Sequence, residues 1–322
     1  MSEFHSAFSN LIEQFISYRI ASGTWNTINY EYCIKRFDAF CAKNYPNMPL
    51  SQEMVDDWCS CHPNEMNRSR NTRIRVITAF IKYLRKRNLT EVETPALLVN
   101  EPHTYIPHSF KEEELRRFFY ECDHIQPKTK RLESILPKYI CPVLFRLLYS
   151  SGIRTTEARQ LARKNVDLTH GILDIQRSKG YDQHYIALHP SINVLLQQYD
   201  NLIDKIQPNR EYFFQMVSGK CFDHSWLETW FRTLWKKANP GIDNVTAYQL
   251  RHHYATTNIN SWDTDSFEFS DKLLYLAKSM GHRWTQSTLH YYSIVPRLAD
   301  TIKDASENGF NDIITEVSYE EE

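Results

Sequence analysis

No apolar run in this chain approaches the ~18–20 residues that a membrane span requires, and the polar start Met1-Ser2-Glu3-Phe4-His5 has no signal-peptide pattern. A membrane role and secretion are therefore not expected, and a cytoplasmic location is. Metal-ligand spacing is missing too. The seven cysteines are irregularly placed, and the closest pair, Cys59-Ser60-Cys61 beside His62, has no second pair at zinc-finger distance. Reduced thiols, no metal and no cofactor are the resulting expectation. Internal repeats and low-complexity segments are absent. So is an excess of positive charge: the formal net charge is −1, and duplex nucleic acid selects basic surfaces.

A mean charge can hide a dipolar distribution. Residues 66–87 contain Arg68, Arg70, Arg73, Arg75, Lys82, Arg85, Lys86 and Arg87 and no acid, while the last four residues hold three glutamates. The chain itself is of ordinary globular composition, 42% hydrophobic and 24% charged, and its 322 residues suffice for two domains.

Phe8, Leu11, Phe15 and Ile16 recur at helical spacing over residues 4–21, and Gly23 reads as a stop. Thr24 or Asn26 can cap a second helix reaching about Lys43, broken by the Pro46–Pro49 stretch. A short helix follows over Glu53–Cys59. A fourth, from about Asn67 to Arg87, directs Ile74, Ile77, Phe80, Ile81 and Leu84 at a core and its basic residues elsewhere. A solvated face is the plain reading of such a charge run. With no acid available for i,i+4 ion pairs, phosphate contact by Arg68, Arg70, Arg73, Arg75 and Lys82 is the sharper one.

Pro95, Pro102 and Pro107 mark residues 91–108 as a linker. Ser109-Phe110-Lys111-Glu112 has capping-box spacing and opens a helix to about Tyr120. A second helix, 137–151, ends at Gly152, and Thr155 or Thr156 starts a turn through Leu161. The β-prone runs Val166–Leu168, Ile172–Gln176 and Tyr185–Leu188, separated by turns at Thr169–Gly171 and Lys179–Asp182, predict a small antiparallel sheet. Helical patterning resumes at Pro190, where Trp226, Trp230, Phe231, Leu234 and Trp235 read as core. The fold class expected is mainly α with a small antiparallel β-sheet. It comprises a helical unit over 1–90, a linker over 91–108, an α+β domain over 109–296 and a tail over 297–322.

The chemistry-bearing residues crowd the second half. Gly152-Ile153-Arg154-Thr155-Thr156-Glu157 is followed by Ser178-Lys179-Gly180, then by Tyr248-Gln249-Leu250-Arg251-His252-His253-Tyr254-Ala255-Thr256, then by Met280-Gly281-His282 and, nine residues after that histidine, by Tyr291-Tyr292. Cutting a phosphodiester without metal requires an attacking group, a neutraliser of the non-bridging oxygens and a proton donor for the leaving oxygen. Guanidinium suits the second task, being permanently charged and matched to two phosphate oxygens. A phenolate leaves from phosphorus readily enough, with a pKa near ~10, for a DNA hydroxyl to displace it without ATP.

Taken singly these motifs say little; their order and spacing resemble the tyrosine recombinase (phage integrase) family. The resemblance covers the whole second half, and the helical unit before it is similar to the family's core-binding domain. It implies an enzyme acting on double-stranded DNA, with Tyr291 as nucleophile and Lys179 as general acid toward the 5′ oxygen. Arg154, Arg251 and His282 would hold the phosphate, and Tyr248 would stand where the family has a histidine. It also implies a homo-tetramer joined by exchange of the C-terminal segment. Helices starting near residue 5 leave no room in this chain for an arm-type DNA-binding domain.

Two departures stand out. Tyr248 is a poor proton acceptor near neutral pH, and His253, five positions on, should point elsewhere. The Arg251–His282 interval exceeds the family norm, and the excess is assigned to a surface loop around Trp262–Phe269. A DNA-binding protein without catalysis and a type IB topoisomerase are the rival readings; the set Arg154, Lys179, Arg251, His282 and Tyr291 weighs against the first, and the compact front unit against the second.

Overall fold

The computed structural model describes residues 4–25, 30–101, 107–176, 183–262, 266–282, 287–288 and 291. The chain divides into two compact units, Met1–Tyr105 and Ile106–Glu322. Among the described residues no helix is long and apolar enough to cross a membrane.

Four helices make the first unit: α1 (Ser9–Ala21), α2 (Tyr32–Asn44), α3 (Gln52–Cys59) and α4 (Asn67–Arg85). Ile12, Phe15, Ile34, Phe37, Met54, Ile77, Phe80 and Leu84 are buried together, as their helical spacing predicts. The Ser51 hydroxyl accepts from the Met54 N–H and caps α3. Residues 98–101 are tied to α4. Asn71 donates to the Leu98 carbonyl and accepts from the Leu98 N–H, and Asn67 donates to the Val99 carbonyl.

The second unit is helical around one small sheet: α5 (Glu112–Asp123), α6 (Leu132–Ser151), α7 (Thr155–Arg159), β1 (Val166–Asp167), β2 (Ile172–Ile175), β3 (His184–Ala187), α8 (Pro190–Asp204), α9 (His224–Ala238), α10 (Gln249–Asn260) and α11 (Ser266–Ser279). The strands run antiparallel in the order β1-β2-β3, with Val166 opposite Leu173 and Ile175 opposite His184. Along β3, His184 and Ile186 turn inward and Tyr185 and Ala187 outward.

Three expectations are corrected. Helix α6 starts at Leu132, not 137, and contains Pro137 and Pro142. Each proline removes a backbone donor at about 3 kcal/mol, but Leu136, Ile140, Val143, Leu144, Phe145, Leu147 and Leu148 are all buried on this helix, at roughly 1.5–3 kcal/mol each. The cap of α5 is Lys111 with Glu114, whose carboxylate accepts from the Lys111 N–H at 3.0 Å and pairs with His108 at 2.8 Å; Ser109 and Glu112 do not form it. Finally, α11 already begins at Ser266, so much of the extra length after Trp262 is helix. Residues 263–265 lie outside the described set, as do the Lys179–Asp182 turn and the 297–322 tail.

Candidate active site

The site is assembled from two helix ends and two helix starts. Helix α6 stops at Gly152, whose φ of +62° turns the chain back. A Cβ there would lie 2.3 Å from the Tyr254 ring, so the position is closed to larger residues. This reversal delivers Arg154 to the start of α7. Helix α11 stops in a Schellman arrangement: Gly281 N–H donates to Lys278 and His282 N–H to Ala277 at 2.8 Å. Gly281 has a φ of +62°, and a Cβ on it would come within 2.5 Å of His184 and 2.9 Å of Arg154 Nη1. Tyr248 caps helix α10, and Arg251 and His252 follow three and four residues later on the same side.

Arg251 is the hub, only 2% exposed. Its Nη1 donates to the Gly152 carbonyl at 2.5 Å and its Nη2 to the Met280 carbonyl at 2.7 Å and to His282 Nε2 at 2.8 Å. Arg154 Nη2 donates to the Gly281 carbonyl at 2.7 Å, and its Nη1 to Glu157 at 2.6 Å. Glu157 also accepts from the Arg154 N–H at 3.0 Å, which locks the start of α7.

Since His282 Nε2 accepts from Arg251, the ring proton sits on Nδ1 and is donated to Thr288 Oγ1, 2.7 Å away. Burial, then the Arg251 and Arg154 charges and His184, push the His282 pKa down to about 3, so the imidazole is neutral at physiological pH. Tyr291 is 4% exposed. Its ring lies parallel to His282, centroids 6.0 Å apart, and 5.3 Å from the His252 ring. Burial raises its pKa, while Arg251, through charge and a hydrogen bond, favours the phenolate.

Arg154, Tyr248, Arg251, His282 and Tyr291 thus belong to one constellation. Lys179 and Tyr292 lie outside the described residues. His253 points away, as expected, stacking on Tyr149 at 5.5 Å. The sequence reading gave no role to His252, Glu157, His184 or Thr288. The first was legible as the residue four after Tyr248; His184 and Thr288 carried no signal until Gly281 and His282 were seen to pack on them.

The basic helix divides in two. Arg68, Arg75 and Lys82 are exposed and, at seven-residue intervals, share one face of α4. The expectation for Arg73 is corrected: it is 8% exposed. Its Nε and Nη2 reach the two Glu65 oxygens at 2.8 and 2.6 Å, and Nη2 also reaches the Ser60 carbonyl at 2.5 Å. Arg70 Nε is spent on the Cys59 carbonyl at 2.6 Å. Both tie α4 to the end of α3.

Two guanidiniums, a neutral imidazole and a phenol meet on a mainly helical scaffold, and among the described residues the acid beside them is the Arg-bound Glu157. The profile of the phage integrase family matches residues 108–296. The chain belongs to that family, the tyrosine recombinases, and is an enzyme that cleaves and rejoins DNA strands in site-specific recombination. Among its relatives are the putative integrase/recombinase y4rE of Sinorhizobium fredii, 25% identical over 97% of this chain and 99% of that one, and the tyrosine recombinase XerC of Oceanobacillus iheyensis, 24% identical over 72% of each. Similar solved structures include the XerH site-specific recombinase bound to palindromic difH substrate, with a TM-score of 0.64 at 17% identity over 94% of this chain and 85% of that one. A lambda integrase tetramer bound to a Holliday junction gives 0.62 at 12% identity, over 88% and 76%.

Proposed function

We propose that Tyr291 attacks the scissile phosphate of double-stranded DNA and leaves a 3′-phosphotyrosyl link. Arg154 and Arg251 neutralise the non-bridging oxygens, His282 orients them, Tyr248 donates a hydrogen bond, and Lys179 protonates the departing 5′ oxygen. No metal or cofactor enters this scheme. The observation that carries it is the meeting of Arg251 with His282 and Tyr291, residues brought from separate segments around a cation held by carbonyls.

The reading extends to the whole chain. The helical unit, residues 1–90, grips DNA phosphates through the exposed stripe Arg68, Arg75 and Lys82. Residues 91–108 link it to the catalytic domain, 109–296, and the protein works in the cytoplasm as a homo-tetramer joining two DNA sites. Residues 297–322, which include Leu298, Ile302, Ile313, Ile314 and Val317, are the segment passed between protomers. The XerH structure, bound to palindromic difH substrate, and the lambda integrase structure, bound to a Holliday junction, support DNA as the partner.

The test is covalent trapping on a pool of random-sequence duplexes, followed by sequencing of the bound DNA and mass spectrometry of the adduct. The expected attachment is at Tyr291, and Tyr291→Phe should bind the recovered sequence normally yet form no SDS-stable adduct. Attachment at Tyr292 would refute the assignment. Lys179→Ala should cleave poorly but recover on a 5′-bridging phosphorothioate, whose thiolate departs unprotonated; equal defects on both substrates would remove Lys179 from the role.

A further inference from the structure

We propose that His252 is the general base that takes the phenolic proton of Tyr291 during strand cleavage. The inference rests on the reading of Tyr291 as nucleophile. The His252 imidazole lies between two phenols: its ring centroid is 5.3 Å from that of Tyr291 and 5.2 Å from that of Tyr248, which meets it edge to face at 78°. Tyr248 and His252 are four residues apart, so they share a face of α10, and Tyr248 holds the imidazole against the third ring.

Attack on phosphorus requires the Tyr291 oxygen to lose its proton, and burial keeps that phenol from ionising unaided. The described groups around it can be taken in turn. Arg251 and Arg154 are permanent cations and only donate. Tyr248 is a phenol and a poor acceptor near neutral pH. His282 stacks on Tyr291, but its Nε2 is engaged by Arg251 and its Nδ1 by Thr288, and burial beside two guanidiniums leaves it only weakly basic. Glu157 is committed to Arg154. His184, on β3, packs against Gly281. Among the described residues, His252 combines ring contact with Tyr291 and an imidazole, which in its neutral form accepts a proton.

In the step itself the Tyr291 oxygen bonds to phosphorus while its proton passes to a His252 ring nitrogen. The bond from phosphorus to the 5′ oxygen breaks, and that oxygen takes a proton from the general acid. The phosphate charge offsets the imidazolium formed beside Arg251. Rejoining reverses each transfer, and His252 returns its proton to the tyrosine.

The test is single-turnover cleavage of a nicked suicide duplex carrying the sequence recovered by trapping, with DNA affinity and thermal stability measured alongside. His252→Gln removes the base. His252→Phe keeps the ring contacts with both tyrosines and removes the nitrogens, which guards against a loss of packing. Both should bind DNA like wild type and cleave ~10²–10⁴-fold more slowly. Wild-type cleavage should also fall as the pH drops through the imidazole range, because only the neutral ring accepts a proton, and that limb should be missing from both variants. Cleavage by His252→Phe within about threefold of wild type, or an unchanged acid limb, overturns the role of His252. An adduct formed by Tyr291→Phe would instead overturn the nucleophile, so the two failures are distinct.

Discussion

Arg73 in α4 and Arg251 in α10 are both buried helical arginines, 8% and 2% exposed, and the atoms that hold them differ in kind. Arg73 meets both oxygens of Glu65, with its guanidinium 5.5 Å from the Trp58 ring centre. A full negative charge cancels it, and little field remains for an outside anion. Arg251 is held by the carbonyls of Gly152 and Met280 and by a neutral imidazole. Dipoles meet its Nη donors without cancelling its charge, at a real desolvation cost. Burial of an arginine therefore says little about function; the formal charge of its partners says more. Arg154 stands between the two, sharing itself between the Glu157 carboxylate and the Gly281 carbonyl.

The comparison breaks first on stability. Arg73→Ala leaves Glu65 without its partner and should cost about 3–5 kcal/mol in unfolding of the first unit by urea. Replacing the pair together, Arg73→Met with Glu65→Gln, should regain much of that. A loss below about 1 kcal/mol for the single change would place Arg73 among ordinary surface ion pairs.

Arg251→Ala should show the opposite profile. Cleavage should drop ~10²–10³-fold, the usual effect of removing one preorganised stabiliser of developing charge. Unfolding free energy should fall only by roughly 1–3 kcal/mol, for the carbonyls left unpaired. Arg251→Lys should be nearly as inactive, because an ammonium lacks the planar fork that spans both carbonyls. If Arg251→Ala unfolded the protein as severely as Arg73→Ala while sparing cleavage, the contrast would be wrong.

Acid titration sharpens the same contrast. Arg73, by hydrogen bond above all, lowers the Glu65 pKa to about 2, against ~4.3 for a free glutamate. A depressed carboxylate stabilises the fold fully above its unfolded pKa, and the contribution is lost as pH falls through the folded value. Between pH ~5 and ~2 wild type should thus lose more stability than the Arg73→Met, Glu65→Gln double variant. Parallel melting curves across that range would remove Glu65 from the ledger of acid-sensitive groups.

The smallest effect belongs to the exposed stripe. Arg75→Ala should leave stability within about 0.5 kcal/mol and flatten the salt dependence of DNA binding by up to ~0.9 in log–log slope. A slope identical to wild type would return Arg75 to a solvated face.

These differences also explain what could be read in the sequence. The helix end marked by Gly152 and strands bounded by turn residues were legible, because local chemistry decides them. The ordering of Arg154, Arg251, His282 and Tyr291 was legible as well, since each lies in a short motif. Arg73 and Arg75 could not be told apart, because the difference is Glu65, eight residues upstream and brought close only by the turn after α3. The start read for α6, at 137, came too late, because the burial that carries the helix across Pro137 is tertiary. Reading the Tyr248 turn as far as its fourth residue would have found His252.

The main-chain anchoring of Arg251 and Arg154 has a consequence for how the sequence can drift. Carbonyls from Gly152, Met280 and Gly281 belong to the path of the chain, not to any side chain, so a mutation cannot delete them without bending that path. Met280 can exchange for another apolar residue that fills the same space and Arg251 meets the same oxygen. The demand for identity falls instead on the two glycines, where a single methyl group would collide with Tyr254, or with His184 and Arg154. A site built this way tolerates turnover in most of its surroundings and is brittle at two points that carry no functional group.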